Sequence, residues 1–175
     1  MENTIKSTQL KVIVPAYRMH SQLFNNVVAD ISLIDAKKRI HGSTNHVLWM
    51  VGNLVNCRYW LANLLGAPDK DPYDHFFADA KALDETYDYP EITTLKNEWH
   101  HISPILFSKL CSLTDEALLK PLSLGMDIPF IEENQLNAIG MSIGREDYLF
   151  GQLGLMRRAL GYKAMQYGID EKIKY

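Results

Sequence analysis

A chain of 175 residues, almost half of them apolar, can bury one substantial core, and its composition shows no break that would set off a second domain. A formal net charge of -3 excludes a general nucleic-acid binder, because neutralising phosphates requires a concentrated basic surface. No run reaches the ~20 apolar residues that span a bilayer, and the opening MENTIKSTQLKVIVP has neither a long apolar core nor a small-residue cleavage site, so the expected location is the cytoplasm.

The predicted elements are helical. After Pro15, the residues Ala16, Met19, Leu23, Val27, Ile31 and Ile34 recur at helical spacing, and proline suits a first turn, where its missing donor would be unpaired anyway. A second helix follows a cap among Ser43, Thr44 and Asn45 and runs through Val47, Val51, Leu54, Val55, Trp60, Leu61 and Leu64 to a stop at Gly66. It is apolar on most sides, which predicts the most buried helix. Residues 66–91 read as a long connection with a short helical turn around His75 to Leu83. A third helix spans Thr93 to Leu113, with Pro104 either kinking it or starting a second piece capped by Ser103. The last begins near Pro129 or Glu132 and ends around Leu160, before Gly161. Four helices with one long crossover predict an all-α four-helix bundle, a single domain over residues 1–175 with its core at about 10–162 and a polar tail, 166–175, that frays.

Several residue types have plain structural readings. Cys57 and Cys111 each fall inside a predicted helix without a second cysteine nearby, as expected of buried reduced thiols. His100 and His101 point about 100 degrees apart on a helix and share no metal, and His20, His41 and His75 stand in no ligand spacing with one another. Trp49, Tyr59, Trp60 and Trp99 are expected in the core or a pocket wall, and Arg157, Arg158 and Lys163 complement a negative helix end. Gly140, Gly144 and Gly151 lie along one stripe, each at a cost of roughly 1 kcal/mol relative to alanine. Close approach of another backbone would offset that cost, from a neighbouring helix or from the same helix of a second subunit.

The segment from Arg145 to Tyr162, REDYLFGQLGLMRRALGY, carries Glu146, Tyr148, Gly151, Gln152, Met156, Arg157, Arg158 and Gly161 at spacings that resemble the closing helix of the DinB/YfiT-like superfamily. That family's pattern is close to His-Glu-x-Tyr-His-x-Gly-Gln followed by Leu-Arg-Arg-x-x-Gly. Gly52-Asn53-Leu54, within Gly42 to Gly66, resembles the Gly-His-Leu of the family's second helix, and Leu113 to Leu118 resembles the turn before its last one. The resemblance covers residues 10 to 162. It implies a bundle with a central cavity that in ligand-bearing members holds a divalent metal. Some of those members are similar to transferases of low-molecular-weight thiols such as bacillithiol or mycothiol, or to hydrolases, and members are often dimers.

The resemblance also implies that positions 53, 145 and 149 converge as the metal triad. Residues four apart share a helix face, so histidines at 145 and 149 could reach one ion. This chain places Arg145, Leu149 and Asn53 there. Arginine is a permanent cation without a lone pair to donate, leucine has nothing to coordinate with, and an asparagine carbonyl is a poor substitute for imidazole at a zinc or nickel site. His46 is seven residues before Asn53, about 10 Å along the axis. Glu146 and Asp147 are rotated by about 100 and 200 degrees from Arg145, away from the former ligand position.

The leading expectation is therefore a fold that keeps its cavity, has lost its metal and binds a small anionic or polar molecule, or a partner. No catalytic residue is assigned and no cofactor is expected. The candidate pocket is His46, Asn53, Arg145, Tyr148 and Gln152. A guanidinium facing a cavity demands a ligand carboxylate or phosphate, unless it pairs with an acid from another helix or reaches the surface. A second reading is a thiol transferase or hydrolase using zinc or nickel held by non-standard ligands, such as His46 with a carboxylate from the crossover. A third is a homodimeric scaffold without ligand, with the glycine stripe in its interface.

Overall fold

The computed structural model describes residues 4–125 and 127–175, and among these the regular structure is entirely helical, with one isolated antiparallel bridge between Pro121 and Asn134. The helices are α1 (Leu10–Val28), α2 (Leu33–Ala36), α3 (Val47–Leu64), α4 (Asp74–Phe77), α5 (Ile92–Ser112), α6 (Asp115–Leu118) and α7 (Gln135–Ala159), with 3-10 turns at Ile40–Gly42 and Ala78–Ala80. The four long helices pack in a ring in which α1 touches α5 and α7, and α3 touches the same two. Among the described residues no helix is long and apolar enough to cross a membrane.

Periodicity explains which faces turn inward. On α1, Leu10, Val14, Tyr17, Ser21, Phe24 and Val28 form the buried stripe, while Met19 is exposed. The helix begins before Pro15, which lies inside it on the solvent side, where the carbonyl left without a partner is that of the exposed Lys11. It stops at Val28, ahead of a left-handed Asp30, so Ile31 and Ile34 do not continue it.

In α3 the run from Val47 to Val55 is buried throughout, as its all-round apolarity predicts. Its cap is His46, not Ser43, Thr44 or Asn45: the imidazole Nδ1 accepts the Trp49 N–H at 3.0 Å. Helix α5 continues through Pro104 to Ser112, and Ser103 turns its hydroxyl inward to the Trp99 carbonyl instead of capping a second piece. Helix α7 starts at Gln135, later than Pro129 or Glu132, because Asn134 caps it by accepting the Asn137 N–H at 2.9 Å.

In the tail 166–175, Ile173 is buried, the Gln22 and Asn26 amides donate to the Ile173 and Gly168 carbonyls, and the Tyr175 hydroxyl meets His100 Nδ1 at 2.8 Å. The intrachain reading of the glycine stripe is not met among the described residues, since a Cβ at Gly140, Gly144 or Gly151 would meet nothing within 4 Å. Close approach is required at Gly52 instead, where a Cβ would lie 2.0 Å from the Phe77 ring.

Candidate functional site

The centre of the helical ring holds a closed polar cluster. Arg58, on α3, is fully buried, and its five N–H groups meet five acceptors. Nε donates to Glu146 Oε1 at 2.8 Å and NH2 to Glu146 Oε2 at 3.0 Å; NH1 donates to the Ser21 and Ser103 hydroxyls at 3.0 and 2.6 Å, and NH2 again to the Tyr17 carbonyl at 3.4 Å. The guanidinium plane lies 3.4 Å from the Trp99 ring centroid and 4.1 Å from that of Tyr17. One cation thus ties together α1, α5 and α7.

His20, on α1, bridges the cluster to solvent. Its Nδ1 faces buried Glu146 at 2.9 Å and its Nε2 faces exposed Asp147 at 2.7 Å. A neutral imidazole has one N–H and one lone pair, so two ionised carboxylates on its two nitrogens require the imidazolium. Burial alone would depress the His20 pKa, and the hydrogen bonds and charges of Glu146 and Asp147 outweigh it, leaving the group raised. Glu146 is pushed up by burial and more than compensated by Arg58 and His20, so it is held below the ordinary carboxylate range. The Arg58 donors and both Glu146 oxygens are engaged within the cluster, while the buried Trp99 indole N–H beside them has no hydrogen-bond partner among the described residues.

The structure brings two of the predicted pocket residues together beside this cluster. Buried Asn53 accepts from Arg145 through one oxygen, Oδ1, at 3.1 Å from Nε and 2.8 Å from NH2. Arg145 is exposed and forms no ion pair with an acid among the described residues, which among the expected alternatives is the guanidinium that reaches the surface. Glu146 occupies the inward direction, because the buried stripe of α7 runs through Ile139, Ile143, Glu146, Leu149, Phe150 and Leu153. Leu149 is core, and Tyr148 points to solvent at 65% exposure. The Cys57 thiol, one turn beyond Asn53, is half-buried, and burial pushes it up to about 11 against the opposing charge of Arg145.

Gln152 and His46 fall in two different clefts. Gln152 lines a largely apolar cleft of about 540 Å³ with Ile40, Thr44, Met50, Leu155 and Met156. Helices α3 and α7 are antiparallel, since Arg58 meets Glu146 while Thr44 meets Met156. Met50 is therefore one turn before Asn53 on α3, and Gln152 two turns after Arg145 on α7. His46 lines a separate cleft of about 400 Å³ with Lys37, Glu85, Tyr87 and Asp88.

Comparison of the chain with family models, curated proteins and solved structures finds no match. The donor chemistry at positions 53, 145 and 149 does not suit a divalent ion: a cationic Arg145, an apolar Leu149 and an amide oxygen already occupied by that arginine. His46 fits no better. Its Nδ1 is committed to the Trp49 N–H, so in the neutral ring Nε2 carries the proton and lacks a lone pair. Among the described residues, no group of three or more His, Cys, Asp or Glu side chains is placed to hold an ion.

Position 146 was legible as part of a motif but not as a core charge, and Arg58 and His20 were missed. Each lies on its helix's apolar stripe, Arg58 between Leu54 and Leu61 and His20 between Tyr17 and Phe24. A charged residue in register with core positions on three separate helices was the available signal.

Proposed function

We propose that this chain is a DinB-like four-helix bundle whose metal position has been taken over by the Arg145–Asn53 pair, and that it binds a small amphipathic anion along the groove between α3 and α7. The observation that carries the reading is Arg145 itself, a cation docked on a neutral amide and without an ion pair among the described residues. Its guanidinium is exposed, and charge-assisted bonds to a carboxylate or phosphate would complete it. Two turns along α7, about 10 Å away, the apolar cleft at Gln152, Leu155 and Met156 would take the ligand's hydrocarbon part. The function proposed is binding; in the buried cluster next door Arg58, Glu146 and His20 are bonded to one another.

Calorimetric titration with octanoate, octanol and acetate tests the reading. Octanoate binds with saturation, octanol and acetate at least tenfold more weakly, because head and tail contribute together. Arg145→Gln weakens octanoate about tenfold while Ala159→Trp, at the far end of the cleft, blocks it. Equal affinity for octanol, or an undiminished Arg145→Gln, would overturn the proposal.

A second reading rests on the outer face of α7, where Met141, Tyr148 and Leu155 are exposed at seven-residue intervals beside the open glycines. A second copy of the chain laid along that face would cover them. Sedimentation velocity at increasing concentration separates this scaffold from a monomeric binder.

A further inference from the structure

The cleft around His46 is independent of the α3/α7 groove and is built. One wall is the segment Asp84–Tyr89, part of the long crossover. It is pinned at both ends: Asp84 Oδ1 accepts from the Thr86 N–H and hydroxyl at 2.9 and 2.7 Å, and the Asp84 N–H donates to the Tyr89 hydroxyl at 3.0 Å. The Tyr89 ring stands edge-on to His46 at 5.1 Å and packs against Phe76 and Phe77, which holds the wall to the start of α3.

At the base of the cleft is one side chain with unused capacity. His46 is only 6% exposed, its Nδ1 is tied to the helix, and its Nε2 has no hydrogen-bond partner among the described residues. The two ring nitrogens point in different directions, so fixing Nδ1 inward turns Nε2–H toward the cleft that His46 lines. Burial holds its pKa below the ordinary value, so the ring stays a neutral donor at physiological pH.

The rim offers the complementary groups. Asp88 accepts from the Lys37 ammonium at 3.0 Å and Glu85 from Arg39 at 2.6 Å, so the charges balance and a net anion or cation has no electrostatic advantage. Each carboxylate keeps further acceptor positions, because an ionised carboxylate has about four. The Tyr87 ring, 44% exposed, adds an apolar face. Donor at the base, acceptors at the rim and an aromatic wall suit a group that both donates and accepts.

We propose that this cleft is a second binding site, for an uncharged polyhydroxylated ring such as a monosaccharide or cyclitol. A ring hydroxyl accepts from His46 Nε2–H, its neighbours donate to Glu85 and Asp88, and the C–H face lies on Tyr87. Titration of the full chain, followed by NMR of the histidine and tyrosine side chains, uses methyl glycosides of glucose, galactose and mannose with myo-inositol, and acetate and inorganic phosphate as charged comparators. At least one polyol shifts the His46 and Tyr87 signals saturably, and the glycosides and the cyclitol separate the two sources. His46→Asn keeps a competent helix cap while its shorter side chain has no donor at the Nε2 position; it and Tyr87→Ala each weaken the response about fivefold or more. Arg145→Gln leaves it unchanged, which separates this site from the α3/α7 groove. Silence of every polyol, a response to acetate or phosphate alone, or unaltered binding by a folded His46→Asn overturns the assignment.

Discussion

Arg58 and Glu146 form a two-bonded ion pair at 2.8 and 3.0 Å in which neither side chain reaches solvent. Burying two charges is costly, and the geometry that offsets it is complete: five acceptors for the arginine, two aromatic faces, and a histidine on the carboxylate. Removing one partner leaves the other as an uncompensated buried charge. Glu146→Leu and Arg58→Leu are each expected to destabilise by about 3–5 kcal/mol, and the double variant by clearly less than the sum. Urea unfolding checks this, and additive losses would show that the pair is not coupled.

The same cluster sets the pH dependence of stability. His20 is raised above the ordinary imidazole value, so its contribution is complete below that value and is lost as pH rises through the raised one. Glu146 is lowered, so its contribution is present above the ordinary glutamate value and lost as pH falls through the lowered one. Stability should therefore peak in the mildly acidic range and decline on both sides. Unfolding midpoints from pH 4 to 9 give the profile, and His20→Gln should flatten the alkaline limb; an alkaline limb of equal slope in that variant would assign it elsewhere.

Two kinds of glycine should respond oppositely to alanine. At Gly52 a methyl group collides with the Phe77 ring, and overpacking of that kind costs about 1–3 kcal/mol. At Gly144 and Gly151 the space is open, so helix propensity decides, and each substitution stabilises by about 0.5–1 kcal/mol. Thermal melts test both. A loss at Gly144 or Gly151 would indicate that a second copy packs on α7 in solution.

Burial keeps the Cys57 thiol protonated, at about 11, despite the cation nearby. At pH 8 its thiolate fraction is about two orders of magnitude below that of a free cysteine, and reaction with a disulfide reagent should be slower in proportion. Arg145→Ala removes the charge that favours the thiolate and should slow it further. Stopped-flow labelling in buffer and in denaturant compares the two states; equal rates would place the thiol in open solvent.

Much of the architecture was legible because helical periodicity is a local property. The runs through Val47 to Leu64 and through Thr93 to Ser112 are helical as read, and Gly66 stops the first with a left-handed φ. Caps were harder, since His46 takes a role usually filled by shorter polar side chains, and a helix that begins before its proline defeats the rule placing proline in the first turn. The partners of the central charges were out of reach. Arg58, His20 and Glu146 are far apart in sequence, and no spacing rule on one helix reveals that three helices aim them at one point.

Composition and periodicity by themselves determined a helical chain, among whose described residues no helix is long and apolar enough to cross a membrane, and no imidazole at positions 53, 145 and 149. Only tertiary packing decided what those residues do, because helix rotation and the crossing of α3 with α7 choose which neighbour enters the core. A rotation of about 100 degrees per residue separates Arg145 from Glu146. That one step sends the glutamate to the buried centre and leaves the arginine exposed on the flank, against Asn53.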